Sequence, residues 1–205
     1  MRKVTTVVDT FPAPASRRLA VVDVETSGLS PKRHQLLQVG LVTVDAAGTV
    51  LDRWSSLVHP RQRFLFRVGP TKLHGIRRRD ARGAPPAPPV LAELAERLAG
   101  TIFVAHNAKF DLAFLRHAAA RHGVQLPISH VLCTLELSRL LDPERTRSHR
   151  LGDLCARYGI ELVRPHDALA DADATAAVLP HLLTAHGLDV EERLTARFAD
   201  QPAAA

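Results

Sequence analysis

Along the first sixty positions apolar residues come in short β-branched runs separated by turn formers, and after position 90 they recur at helical spacing. The run Leu19-Ala-Val-Val-Asp-Val-Glu25 is short, apolar and β-branched, as a buried strand requires. It stops at Thr26-Ser-Gly28-Leu-Ser-Pro31, a cluster of turn formers. Two more strands are expected over 36–44 and 50–58, joined by the hairpin residues Asp45-Ala-Ala-Gly48. Residues 60–89 have no periodicity and carry Pro60, Pro70 and Gly83-Ala-Pro-Pro-Ala-Pro-Pro89, which predicts an irregular surface excursion.

A helix over 90–98 follows, with Leu91, Leu94, Ala95 and Leu98 on one face. A strand over 101–105 ends at His106-Asn107, and Asn107 is placed to N-cap a helix over 108–121 closed by Gly123. A strand-to-helix stretch over 131–141, a helix over 151–158 and a last helix over 168–186 complete the chain, where Pro180 predicts a kink or early end. Three strands followed by mixed helices and short strands predict one α/β domain with a mixed sheet over 17–187. Residues 1–16 read as a flexible leader and 188–205 as a C-terminal tail.

Composition changes this picture little. Apolar residues make up 46% and charged residues 23% of 205, enough for a real core. No apolar run approaches the ~20 residues that span a bilayer, and no signal-like stretch follows Arg2 and Lys3. A cytoplasmic protein without membrane contact is therefore expected. Cys133 and Cys155 sit in no metal or redox spacing and read as reduced thiols in or near the core. The net charge of +6 favours an anionic partner such as nucleic acid, although a composition rich in Ala and Arg can also follow from a GC-rich genome.

The chemistry is carried by acids in apolar settings. Asp23 and Glu25 lie two apart in a strand, so both side chains leave one face of the sheet. Paired carboxylates repel, and a hard divalent cation removes that penalty; a solvated strand end is the bland alternative. Asp111 falls in the first turn of the helix after 101–105, where it either complements the helix dipole or points back over the strand ends. His166 stands at the entrance of the last helix with Asp171 one turn inside it, and Asp167 is placed to cap that helix.

Together Asp23-Val-Glu25-Thr-Ser-Gly28, His106-Asn-Ala-Lys-Phe-Asp111 and His166-x-Ala-x-x-Asp171 resemble the three motifs of the DEDDh 3′→5′ exonucleases, in the family's order and spacing. That family includes the proofreading epsilon subunit of bacterial DNA polymerase III and ribonuclease T. The segments Leu73-His-Gly-Ile76 and Leu151-Gly-Asp-Leu-Cys-Ala-Arg-Tyr158 resemble intervening family segments.

The resemblance implies a ribonuclease H-like fold, a mixed five-stranded sheet flanked by helices. It implies two cations, Mg²⁺ or Mn²⁺, held by Asp23, Glu25, Asp111 and Asp171, with His166 as general base; an imidazole ordinarily titrates near ~6.5. Asp23, Glu25 and Asp171 would take the tighter metal and Asp23 would bridge to the second, with Asp111 acting mainly through metal-bound water. Thr26, Gly28, Leu29, Leu73, His74 and Asn107 would meet a terminal nucleotide, Asn107 being equally readable as the N-cap alone. The basic stretches Arg61-Gln-Arg63-Phe-Leu-Phe-Arg67 and Arg77-Arg78-Arg79-Asp-Ala-Arg82 suit a strand-binding groove or a solvated surface. One departure touches function: Gly69-Pro70 stands where the family often has an acid a few positions before His-Gly-Ile, which puts 3′-hydroxyl recognition in question.

The substrate so implied is a free, single-stranded or frayed 3′ end of DNA, released as nucleoside 5′-monophosphates. An exoribonuclease of the ribonuclease T type is the alternative, because the scissile chemistry is the same. A nucleic-acid-binding domain without activity is opposed by the complete set of four carboxylates and His166. The short stretch after the last helix leaves little room for a polymerase-binding tail and favours a free-standing enzyme or one docking by its folded surface; a polymerase or other protein partner stays open.

Overall fold

The computed structural model describes residues 18–60 and 67–187. A five-stranded sheet in the order β3-β2-β1-β4-β5 divides two layers of helices. The strands are β1 (Arg18–Thr26), β2 (Leu36–Asp45), β3 (Val50–Leu57), β4 (Thr101–Ala105) and β5 (Val131–Cys133). β1–β2 and β2–β3 pair antiparallel, β1–β4 and β4–β5 parallel. The sheet is therefore mixed and five-stranded, as the motifs imply.

Central β1 is apolar on both faces because both are covered. Ala20, Val22 and Val24 pack against α3 (Ala87–Leu98) and α4 (Ala108–His122), through Leu91, Leu94 and Leu115. Leu19 and Val21 face the other way, onto α7 (Ala168–Ala185) with its flanking helices α5 (Thr134–Leu140) and α6 (Leu151–Tyr158). Asp23 and Glu25 continue that second face, so alternation aims both acids toward α7. Both cysteines are free, Cys155 in the α7-side core and Cys133 packed against the other.

The described part of the excursion, 67–89, is more ordered than its sequence predicts. It contains two short helices, α1 (Thr71–His74) and α2 (Arg78–Arg82), and a small apolar cluster of Leu37, Ile76 and Ala81 ties it to β2. α3 begins at Ala87 rather than at 90, with Pro88 and Pro89 in its first turn. Prolines are tolerated there because first-turn N–H groups have no intrahelical acceptor.

α7 also runs past Pro180 to Ala185, so the early end does not occur. An internal proline costs about 3 kcal/mol, and Val178, Leu179, Leu182 and Leu183 around it are all buried. At about 1.5–3 kcal/mol for each large apolar side chain, their packing outweighs the lost hydrogen bond. Among the described residues no helix is long and apolar enough to cross a membrane. The leader 1–16, the tail 188–205 and Arg61 to Phe66 of the first basic stretch lie outside the described residues.

Candidate active site

β1 is longer than its parallel neighbour. The last β1–β4 pair is Val21 with Val104, yet β1 continues to Thr26, which leaves a notch beside its C-terminal half. α4 turns into that notch, and Asp111 Oδ1 accepts the Val24 N–H at 3.2 Å. Asp111 is 2% exposed. Its carboxylate thus replaces the missing ladder partner and brings an acid from the α4 side to the end of β1.

The opposite neighbour sets the position of α7. Asp23 pairs with Gly40 in β2, and a Cβ at Gly40 would lie 2.2 Å from the Ala168 carbonyl oxygen. The first turn of α7 therefore rests directly on the sheet, over the acids. Gln38, opposite Glu25, accepts the Ala168 N–H through Oε1 at 3.4 Å, and a register shift follows at Glu25/Thr26. The Asp167 side chain caps α7 by accepting from Ala170 N at 3.1 Å, as its position predicts.

His166, exposed and left-handed at φ 64°, donates its backbone N–H to Asp171 Oδ2 at 3.1 Å. Glu25, His166 and Asp171 each offer a ligand atom, all within 4.8 Å of one another. Gly40→Ala is expected to displace α7, with a cost of about 1–3 kcal/mol from overpacking and a loss of activity out of proportion to it. Urea denaturation and a nuclease assay check this; wild-type values in both would remove the positioning role.

The acids are electrostatically strained together. Asp23 is raised well above the usual carboxylate range, by burial first and then by Asp111, Asp171, Glu25 and Asp167. Glu25 is pushed up to about 8 by burial and by Asp171, Asp167 and Asp111. Asp111 is also pushed up to about 8, mainly by burial, against the pull of its backbone hydrogen bonds. Burial raises Asp171 as well, opposed by the His166 N–H and the His166 charge. Asp171 Oδ1 is buried without a hydrogen-bond partner among the described residues. Crowded oxygen donors with an orphaned buried carboxylate oxygen suit a hard divalent cation.

The segments expected to meet substrate frame this cluster. Thr26 is buried, its hydroxyl donating to the Gly28 carbonyl at 2.7 Å, while Leu29 projects into solvent at 85% exposure. Leu73, half exposed, sits on α1, and the loop before it is pressed against the turn after β1, since a Cβ at Gly69 would lie 2.3 Å from the Ser27 carbonyl oxygen. An acidic side chain has no room at position 69.

His74 is buried beneath that loop. Its Nε2 lies 2.9 Å from the Val68 carbonyl and its Nδ1 accepts from Ile76 N at 3.1 Å, and burial lowers the ring's pKa below the usual imidazole value. Asn107 occupies the cap position of α4 but its side chain makes no capping bond; its backbone is left-handed at φ 76° and it is exposed. An extended N-cap geometry is not adopted there, so the capping role read from sequence does not hold. In the Arg77–Arg82 stretch, Arg78–Arg82 form α2 and Arg77 stands at its N-cap, its N–H donating to Asp80.

Three positioning residues have no candidate role from sequence alone. Gly40 carries a weak signal, a glycine inside a β-branched strand, which marks close backbone approach. Gln38 carries none. His106 is the third: its Nε2 lies 3.0 Å from the His149 carbonyl and its Nδ1 3.0 Å from Thr134 Oγ1, and burial lowers it to about 4. This neutral ring pins the 148–150 segment beside the acids. A cleft of about 760 Å³ there is shared by Asn107, Arg139, Arg150, His166 and Asp171.

An exonuclease family model, RNase_T, matches residues 20–179. Among curated relatives, a DNA polymerase III PolC-type of Halalkalibacterium halodurans is 35% identical over 173 residues, 84% of this chain and 12% of its own length. The 3′-5′ exonuclease DinG of Bacillus subtilis is 32% identical over 168 residues, 82% of this chain and 18% of its own. The chain thus spans a small fraction of these relatives. Among solved structures, E. coli Exonuclease I in complex with a dT13 oligonucleotide superposes with a TM-score of 0.74 at 22% identity, covering 84% of this chain and 42% of its own. That likeness shows the shared fold.

Proposed function

The chain belongs to the RNase_T exonuclease family, and from that premise we propose that it is a metal-dependent 3′→5′ exonuclease. Its substrate would be single-stranded or frayed DNA 3′ ends, released as nucleoside 5′-monophosphates. The observation that carries this reading is the convergence of Asp23, Glu25, Asp111, Asp171 and His166, from β1, α4 and the start of α7, on one strand end. The names of the relatives support DNA and 3′→5′ polarity, and the oligonucleotide complex of the structural neighbour supports a single strand.

Asp23, Glu25, Asp111 and Asp171 would hold Mg²⁺ or Mn²⁺, two per site. Bound there, such ions supply a water of lowered pKa and neutralise charge on the phosphoryl group. His166, on an exposed left-handed turn, is free to take the proton from the attacking water while its backbone steadies Asp171. Leu29 and Leu73, both exposed on segments braced through Gly69, would pack on the terminal base. Thr26, Gly28, His74 and Asn107 would shape the backbone around it, His74 by bracing its loop.

The raised carboxyls make stability depend on pH and metal together. Unfolded carboxylates titrate near ~4, whereas Glu25 and Asp111 hold protons up to about 8. Between these limits the folded chain binds more protons, so its stability falls as pH rises, with the full loss reached above 8. In EDTA the thermal midpoint should drop by several degrees between about pH 5.5 and 8.5, and Mn²⁺ should restore more of it at the upper end. A midpoint that rises with pH in EDTA would contradict the crowding.

Activity is tested with 5′-labelled DNA and RNA oligonucleotides, single- and double-stranded, in Mg²⁺ and Mn²⁺. A ladder shortening from the 3′ end, faster on single-stranded DNA than on RNA, is expected. Faster RNA shortening would move the substrate to the ribonuclease T kind.

A further inference from the structure

A second cavity, of about 360 Å³, opens behind the turn that follows β1, on the α3/α4 side of the sheet, and Asp23, Glu25, Asp111, His166 and Asp171 do not line it. That volume lies within the range of about 300–1,000 Å³ usual for small-molecule sites. Its rim is positive: Lys32, Arg33 and Arg121 stand at it, and among the described residues no Asp or Glu lines it. All three cations are exposed, and none makes an ion pair among the described residues. A concave, unneutralised group of cations attracts and holds phosphate.

The rest of the wall is apolar or aromatic. Pro86 and Pro88 are exposed and contribute flat apolar surfaces, and buried Phe114 closes the floor behind them. His117 also lines the cavity, and its Nε2 is buried without a hydrogen-bond partner among the described residues. An apolar wall next to a cationic rim matches the two halves of a nucleotide.

The cavity touches the turn of the proposed active site. His34 forms part of its wall, and a Cβ at Gly28 would lie 2.3 Å from His34 Cδ2. His34 Nδ1 accepts the Ser30 N–H at 3.1 Å, which fixes the ring inside that turn. The segment that carries Gly28 and Leu29 thus has the acids on one side and the cationic cavity on the other.

We infer that this cavity is a second nucleotide-binding site, taking one base and its phosphate. Resting on the exonuclease reading, the strand being shortened supplies that nucleotide as it passes round the turn; a free nucleoside monophosphate has the same chemistry. Occupation braces His34, and through it the turn on which Gly28 and Leu29 are carried.

The test compares wild type with Lys32→Gln/Arg121→Gln, whose exposed side chains lie outside the acidic cluster. If the strand is the source, KM for a single strand of about 20 nucleotides should rise about tenfold with kcat unchanged, while a dinucleotide is cleaved as before. The salt slope of log KM should flatten by about 0.7, the share of one phosphate contact on a single strand. Lys32→Arg/Arg121→Lys should restore both. If the source is free nucleotide, deoxyadenosine monophosphate added in EDTA should shift the His34 and His117 ring signals in NMR spectra, and the double Gln variant should abolish the shift. Unchanged KM together with absent shifts would overturn the site. Should wild type cleave neither substrate, the exonuclease reading fails, and the NMR titration, run with the oligonucleotide as well, still decides the cavity.

Discussion

Asp23→Asn is expected to reduce hydrolysis by at least about 10³-fold, roughly 4 kcal/mol of transition-state stabilisation, while stabilising the metal-free protein. The two effects share one cause. Asp23 faces Asp111, Asp171, Glu25 and Asp167, and in the absence of a cation all of them disfavour its charge. An isosteric amide removes that repulsion and with it one of the proposed metal ligands. Steady-state rates in Mg²⁺ and calorimetric melting in EDTA check the pair. Wild-type activity, or an EDTA midpoint below that of wild type at pH 8, would place Asp23 outside the site.

His166→Asn should separate chemistry from binding. His166 is left-handed, and Asn is among the residues that tolerate this geometry best. The backbone N–H would still reach Asp171, so the carboxylates should keep their arrangement. Only the imidazole is lost, and a general base contributes typically about 10²–10⁴-fold. Single-turnover rates should fall by that factor, with oligonucleotide affinity in Ca²⁺ unchanged. Equal turnover, or an equal loss of affinity, would return the proton to some other acceptor.

Much of this architecture is legible in the sequence because the physics that fixes it is local. Alternation along β1 states which face Asp23 and Glu25 share, and the apolar runs at 36–44, 50–58 and 101–105 all become strands. Asp167 caps α7 as its position dictates. The misses come where distant contacts override local preference. Buried Val178, Leu179, Leu182 and Leu183 carry α7 through Pro180. A three-residue apolar cluster gives the excursion helices that its prolines argue against.

The site itself is less legible by spacing alone. Asp111 reads equally as a dipole-complementing acid or as one pointing back over the strand ends until β1 is seen to outrun β4, leaving Val24 N–H for it to bind. Gly40 and Gln38 matter only because α7 lands on them from more than a hundred residues away in sequence. Asn107 has the right position for a cap but the wrong backbone geometry, which short-range rules do not reveal.

The most direct test of the central claim follows a 5′-labelled single-stranded DNA incubated with the wild-type chain in Mg²⁺, with excess EDTA added midway. Stepwise shortening from the 3′ end, with mononucleotide release that stops on chelation, is the expected result. Shortening that continues in EDTA, or cuts within the strand, would contradict a metal-dependent 3′→5′ exonuclease at these carboxylates.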